Sequence, residues 1–329
     1  MRSSVLKIWI TALSLLLSLE LPARLQPLEE PASPHEILVS YQKSKVQKIP
    51  PGALVLVGDS SLGNGVDARI LSEKLEIPVF NLALTGSDSF YGARLILESL
   101  YAQGKKPSMV VAVVAVQTLA QEISEGTLDD FATGETSLPT ENTYQRFCKW
   151  PFELSALVQQ SRTYRRVYLS AGRGLRLKPL VGDGLRLEFE SELSQLDYLP
   201  QGPHKNWTHS RPIQLLNVHP TQSRALTSLA ELCRSKGTPL RFQLGPAIEV
   251  SVSSPSFQRE LDDWMSKNAP RLLSRDLQTF PPEAFGDQNN HLKASGKSKL
   301  TDLYRDLLEE LIQELKGLET STKALRESR

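Results

Sequence analysis

The sequence predicts an α/β protein: a mainly parallel sheet of five strands between two layers of helices, with a large insertion after the third strand. Three observations carry this. The run Leu54-Val55-Leu56-Val57 stops at Gly58, and four consecutive apolar residues, each branched, suit a strand buried on both faces. Strand-like and helix-like segments then alternate from Pro51 to Val116, which is the pattern of βαβ units. The alternation resumes at Thr221 and runs to the last helix.

Taken in order, the Leu54 strand is followed by a helix over 67–75, a strand over 79–82, a helix over 89–103 and a third strand over 109–116. Between Leu119 and Asn217 the periodicity breaks down, with prolines, glycines and polar clusters between short helical pieces such as 151–168. A structureless loop of that length is abnormal, so the segment is read as an insertion with structure of its own, about 120–218. Leu226, Leu229, Ala230 and Cys233 then lie at helical spacing, and Gly237 suits the end of that helix. A fourth strand over 240–244, a helix over 256–268 and a short fifth strand over 272–277 follow. Leu300, Leu303, Tyr304, Leu307, Leu308, Leu311, Ile312 and Leu315 form one apolar stripe on a long final helix. That stripe suits packing on the sheet, or a partner helix. Residues 51–318 are thus assigned to the α/β domain and 319–329 to a polar tail.

The chain has 329 residues, 40% of them hydrophobic, enough for a sizeable core. With 38 basic against 37 acidic residues the formal net charge is +1, which gives no electrostatic reason to expect nucleic acid. Two cysteines, Cys148 and Cys233, make no disulfide framework, and Cys233 falls on the apolar stripe of its helix. Arg2 and Lys7 precede the apolar segment Ile8–Leu19, the layout of an export signal over residues 1–20. The apolar run is short for a spanning helix, while the nearest cleavage-like site, ending at Ala23, carries bulky Leu21; a cleaved signal and a retained anchor both stay open. Either places the chain outside the cytoplasm, on the outer side of a bacterial inner membrane. Residues 21–50 read as linker and lead-in.

The chemistry collects at two places. Gly58-Asp59-Ser60 sets a hydroxyl just past the carboxyl end of the first strand, the edge where reacting groups gather in α/β sheets. Far along the chain, Phe285-Gly286-Asp287-Gln288-Asn289-Asn290-His291 places an acid and a histidine before the last helix. Together these stretches resemble the SGNH (GDSL-type) hydrolase and acyltransferase superfamily. In that family the serine after the first strand is the nucleophile, and a late Asp-x-x-His supplies acid and base. Phe80-Asn81-Leu82-Ala83-Leu84-Thr85-Gly86-Ser87 is similar to the family's second block, whose glycine amide helps form an oxyanion hole. The resemblance touches three separated places and leaves the middle of the chain uncovered.

The resemblance implies Ser60 as nucleophile, His291 as base, Asp287 as its orienting acid, and the Ser60 and Gly86 backbone amides as oxyanion donors. Imidazole suits the base, since it titrates near neutral pH and acts in both directions. Ser61, one residue beyond the nucleophile position, is assigned to structure. Two departures stand out. Asp287 precedes His291 by four residues rather than three, so either the loop bulges and Asp287 still reaches the ring, or Gln288 accepts instead. The family's Gly-x-Asn-Asp block is missing, and Gln117 in Ala115-Val116-Gln117-Thr118 stands in as the side-chain donor. A divergent third block and large insertions are also found in membrane-anchored relatives of the alginate O-acetylation type. The resemblance therefore implies ester hydrolysis or acyl transfer on cell-envelope carbohydrate, with an acyl-ester or carbohydrate substrate and a membrane-bound acyl-donor protein as partner. The competing reading is a silent glycan-binding or scaffold module.

No cofactor and no metal is called for. His204, His209 and His219 lie in Pro-rich stretches unlike zinc ligands, and Asn64 stands where a phosphate loop from Gly58 needs lysine. Gly63-Asn64-Gly65 reads as a flexible lead into the first helix. Arg162, Arg165, Arg166, Arg173 and Arg176, interleaved with Tyr164 and Tyr168, make either a solvated helix face or a basic face for anionic lipid or polymer.

Overall fold

A computed structural model of the chain describes residues 34–123, 193, 195–199, 201–213, 216–268 and 271–327. These belong to one unit, Ser33–Gly134 with Phe189–Arg329. The expected export segment, the arginine cluster and Cys148 lie outside the described residues. Among the described residues no helix is long and apolar enough to cross a membrane.

The elements are α1 (Pro34–Lys48), β1 (Leu54–Gly58), α2 (Ser60–Gly65), α3 (Ala68–Leu75), β2 (Val79–Ala83), α4 (Ser89–Ala102), β3 (Met109–Val114) and α5 (Val116–Leu119). After the gap come α6 (Pro220–Ser235), β4 (Leu240–Leu244), β5 (Ala247–Ile248), α7 (Pro255–Asn268), β6 (Thr279–Phe280) and α8 (Ala294–Glu327). The four long strands form a parallel sheet in the order β2-β1-β3-β4. All five residues of β1 and all six of β3 are buried, as two-faced burial of apolar runs requires. The crossovers β1→β2 and β2→β3 run in opposite directions across the sheet, so right-handed connections set α3 and α4 on opposite faces. On one side α8 packs against α3 and α2; on the other, α1 and α6 pack against α4. Leu300, Tyr304, Leu308 and Leu311 of the α8 stripe are buried, so the stripe serves the core up to residue 311. Cys233 is free and buried on α6, and burial pushes its thiol up to about 11.

The expected fifth strand is reduced to a single bridge. Phe242 pairs with Leu272 through Phe242 N–H to Arg271 C=O (3.0 Å) and Leu273 N–H to Phe242 C=O (2.8 Å). Beyond it the Gln243 side chain takes the place of a ladder, accepting from Ser274 N–H (2.9 Å) and donating to the Asp276 carbonyl (3.2 Å). The polar run Ser274-Arg275-Asp276 has nothing to bury on either face, so a side chain rather than a strand satisfies it. Parallel pairing returns only as the two-residue pair β5/β6.

The lead-in 21–50 contains a helix that the periodicity gave no reason to expect. The buried face of α1 combines Leu38, Val39 and Val46 with Gln42 and Lys45. Gln42 donates to the Ala83 carbonyl (2.8 Å) and Lys45 to that of Asn81, so α1 supplies donors to the outer strand β2 instead of leaving an open edge. Lys45 also pairs with Asp197 at 2.6 Å, with Tyr41 donating to the same carboxylate at 3.2 Å, and burial holds the Lys45 ammonium below its ordinary range. Asp197 belongs to the returning half of the insertion, which is part of the body: Leu193 and Tyr198 are buried.

Candidate functional site

Parallel pairing brings every carboxyl strand end to one edge. Gly58 stands opposite Ala83 on one side and Val113 on the other, and Val114 stands opposite Leu244. Ser60, Gly86 and Gln117 each follow one of these ends by a few residues, so topology alone places them along the same edge.

Gly58 makes the turn. Its φ is +154°, and a Cβ there would overlap the Val113 carbonyl oxygen. Asp59 follows as the N-cap of α2 and is completely buried. One oxygen accepts from Ser61 N–H (2.9 Å) and Ser61 Oγ (2.5 Å); the other accepts from Ala115 N–H (2.9 Å) and Thr118 Oγ1. The carboxylate thereby ties the end of β1 to the exit of β3, and Ser61 is structural, as expected. Asp59→Asn would turn an NH2 toward donors, and should lower stability by about 2–4 kcal/mol in urea unfolding. Ser60 opens α2 and is partly exposed, unlike the remaining residues of that helix. Gly86 lies beside this network: a Cβ there would stand 3.5 Å from Thr118 Oγ1. Both polar atoms of the Gln117 side chain are buried without a hydrogen-bond partner.

The glycines of Gly63-Asn64-Gly65 are close-packed rather than flexible. A Cβ at Gly63 would enter the Tyr198 ring, and one at Gly65 would come within 2.9 Å of Leu300. Tyr198 donates to the Leu84 carbonyl at 2.6 Å; burial, then the Asp59 and Asp88 carboxylates, hold its phenol well above the ordinary range.

The acid–histidine pair is formed. The loop 285–292 is closed by an antiparallel bridge between buried Phe285 and Leu292 and by Gly286 N–H to the His291 carbonyl (2.8 Å). Within it Asp287 Oδ1 lies 2.8 Å from His291 Nδ1, and Asp287 Oδ2 accepts from Gly202 N–H at 3.0 Å. His291 N–H turns back to the Gln288 carbonyl (3.3 Å), a single turn over 288–291 that reverses the chain so that the ring meets Asp287, four residues earlier. Gln288 is exposed, and the ring's partner is Asp287. Partial burial pushes the Asp287 carboxyl up, but the Gly202 amide and His291 outweigh it and hold the group below the usual carboxylate range. An ionised carboxylate only accepts, so Nδ1 carries the proton, and in the neutral ring the lone pair is then on Nε2. His291 Nε2 is buried and has no hydrogen-bond partner, Ser60 Oγ included.

The strands therefore gather Ser60, Gly86 and Gln117 at one edge, and the late loop joins Asp287 to His291. A hydrogen-bonded bridge through Asn64 and Gln201 links the two groups: Asn64 Nδ2 donates to the Ser60 carbonyl (3.1 Å), and Gln201 Nε2 donates to Asn64 Oδ1 (3.2 Å) and to the Leu292 carbonyl (2.7 Å). Sequence reasoning missed Thr118, Tyr198, Gln201 and Gly202. Only Gly202 left a trace, as a turn glycine before Pro203 within the segment read as an insertion. His219 accepts from Thr221 as the N-cap of α6, and among the described residues no three His, Cys, Asp or Glu side chains are placed to hold a metal ion.

No protein-family model, curated protein or solved structure matches the chain.

Proposed function

We propose that the chain is a serine esterase or O-acyltransferase of SGNH type, with Ser60 as nucleophile, His291 as base and Asp287 as its orienting acid. The observation that carries this reading is the Asp287–His291 bond at 2.8 Å, which fixes the tautomer and leaves a buried, unpartnered Nε2. Supporting it are the strand-end position of Ser60, the Gly86 backbone beside the Asp59 network, and the unpartnered Gln117 amide as donor to a developing oxyanion. In this reading the 271–277 segment takes the place of the fifth strand of a three-layer α/β/α sandwich. His291 removes the Ser60 proton as Oγ attacks the acyl carbonyl and returns it to the departing alkoxide, leaving an acyl-serine. Water or a sugar hydroxyl then releases the acyl group.

The substrate class is an acyl ester of cell-envelope carbohydrate, met outside the cytoplasm. An N-terminal segment in the inner membrane would set the chain beside a membrane-bound acyl donor. A fluorophosphonate probe should label the purified chain, and Ser60→Ala should abolish the labelling. The second reading, a silent glycan-binding or scaffold module, is favoured by the lack of a hydrogen bond between Ser60 and His291 Nε2. Absence of labelling at Ser60 would decide for it.

A further inference from the structure

We infer that Gln201, with the Gly202 amide, is the positioning element of the Asp287–His291 pair, so that the chain returning from the insertion sets where the imidazole stands relative to α2. The inference rests on the reading of Ser60 and His291 as nucleophile and base, and it adds a role for a segment that reading does not use.

The Gln201 amide spans the two halves of the site. Its Nε2 donates to Leu292 C=O, one residue beyond His291, and to Asn64 Oδ1, whose own amide donates to the Ser60 carbonyl. The Leu292 carbonyl can only accept, so it is the nitrogen of Gln201 that must face it. One residue on, Gly202 N–H occupies Asp287 Oδ2 and leaves Oδ1 for the imidazole. Lys205 N–H and Trp207 Nε1 then both donate to the Gly286 carbonyl, at 3.0 and 2.9 Å. Gln201 Oε1 lies directly over Gly286, where a Cβ would overlap it, so the Gln201 amide is packed against the backbone of the loop. From 201 to 207 the chain thus holds Gly286, Asp287 and Leu292, three of the positions that define the loop, and among the described residues the side chain linking that loop through Asn64 to the first turn of α2 is that of Gln201. Acid–base transfer depends steeply on such placement: a displacement of about 1 Å costs on the order of a hundredfold in rate.

The test compares the full-length wild type with Gln201→Ala and with Asn64→Ala, which cuts the same bridge at its other end. Fluorophosphonate labelling of Ser60 should slow about a hundredfold in both, with thermal midpoints close to wild type. Independently of any reaction, nitrogen NMR of the His291 imidazole should report the Nδ1–H tautomer with a low-field, slowly exchanging proton in the wild type, and loss of that proton signal in both variants. An unchanged His291 signal in a folded variant overturns the inference, whatever the labelling does. If the wild type is never labelled but the His291 signal collapses in the variants, the esterase reading falls and the positioning role stands.

Discussion

Replacing His291 with alanine is expected to slow acylation of Ser60 by at least about a thousandfold, and Asp287→Asn by a similar or somewhat smaller factor. The two losses have different causes. In the proposed reaction, loss of the imidazole leaves no group to take the Ser60 proton. With asparagine at 287, the group facing Nδ1 is an amide, which no longer enforces one tautomer and no longer stabilises the imidazolium formed during attack. Gln288→Ala is the control: the side chain is exposed, and labelling should stay within twofold of wild type. Second-order rate constants for fluorophosphonate labelling read all three. Asp287 also makes stability depend on pH. Its folded pKa lies below the unfolded value of about 3.9, so its contribution is complete above that value and is lost as pH falls through the lower folded one. Asp287→Asn should remove this acid dependence.

Gly58→Ala should be the most destabilising single methyl added to the described residues. The backbone there sits at φ +154°, and the new Cβ would occupy the position of the Val113 carbonyl oxygen, which accepts from Asp59 N–H at 3.2 Å. Neither β1 nor β3 can yield without breaking the central ladder of the sheet. Strain in an unfavourable backbone region and overpacking cost about 1–3 kcal/mol each, so a loss of about 3 kcal/mol or more is expected, against a total of about 5–15 kcal/mol for an ordinary domain. Urea midpoints of wild type and variant would measure it; a loss under about 1 kcal/mol would mean that the turn is looser than described.

How much of this was legible in the sequence depended on the range of the forces involved. The strand at Leu54 and the helix through Leu226, Leu229 and Cys233 follow from local apolar patterns, and the structure has both. That Ser60, Gly86 and Gln117 lie along one edge follows from the shared edge of strand ends in a parallel sheet, while the choice of Gly86 and Gln117 came from the resemblance. The partner of His291 was left between Asp287 and Gln288, since only the turn through the Gln288 carbonyl decides which side chain meets the ring. α1 escaped because two of its inward positions are Gln42 and Lys45, whose worth lies in carbonyls of a strand far along the chain. The fifth strand was over-read from leucines at 272, 273 and 277, where a single glutamine side chain makes a ladder unnecessary. Gln201 left no pattern, since its partners come from two distant segments.

The Lys45–Asp197 ion pair bears on how the protein should be trimmed for expression. A version starting at residue 50 would look harmless on a hydropathy plot, yet it would strand a carboxylate in a half-closed interior with its counter-ion deleted. The resulting material would be expected to unfold more readily or to aggregate, so a shortened gene should begin ahead of Pro34.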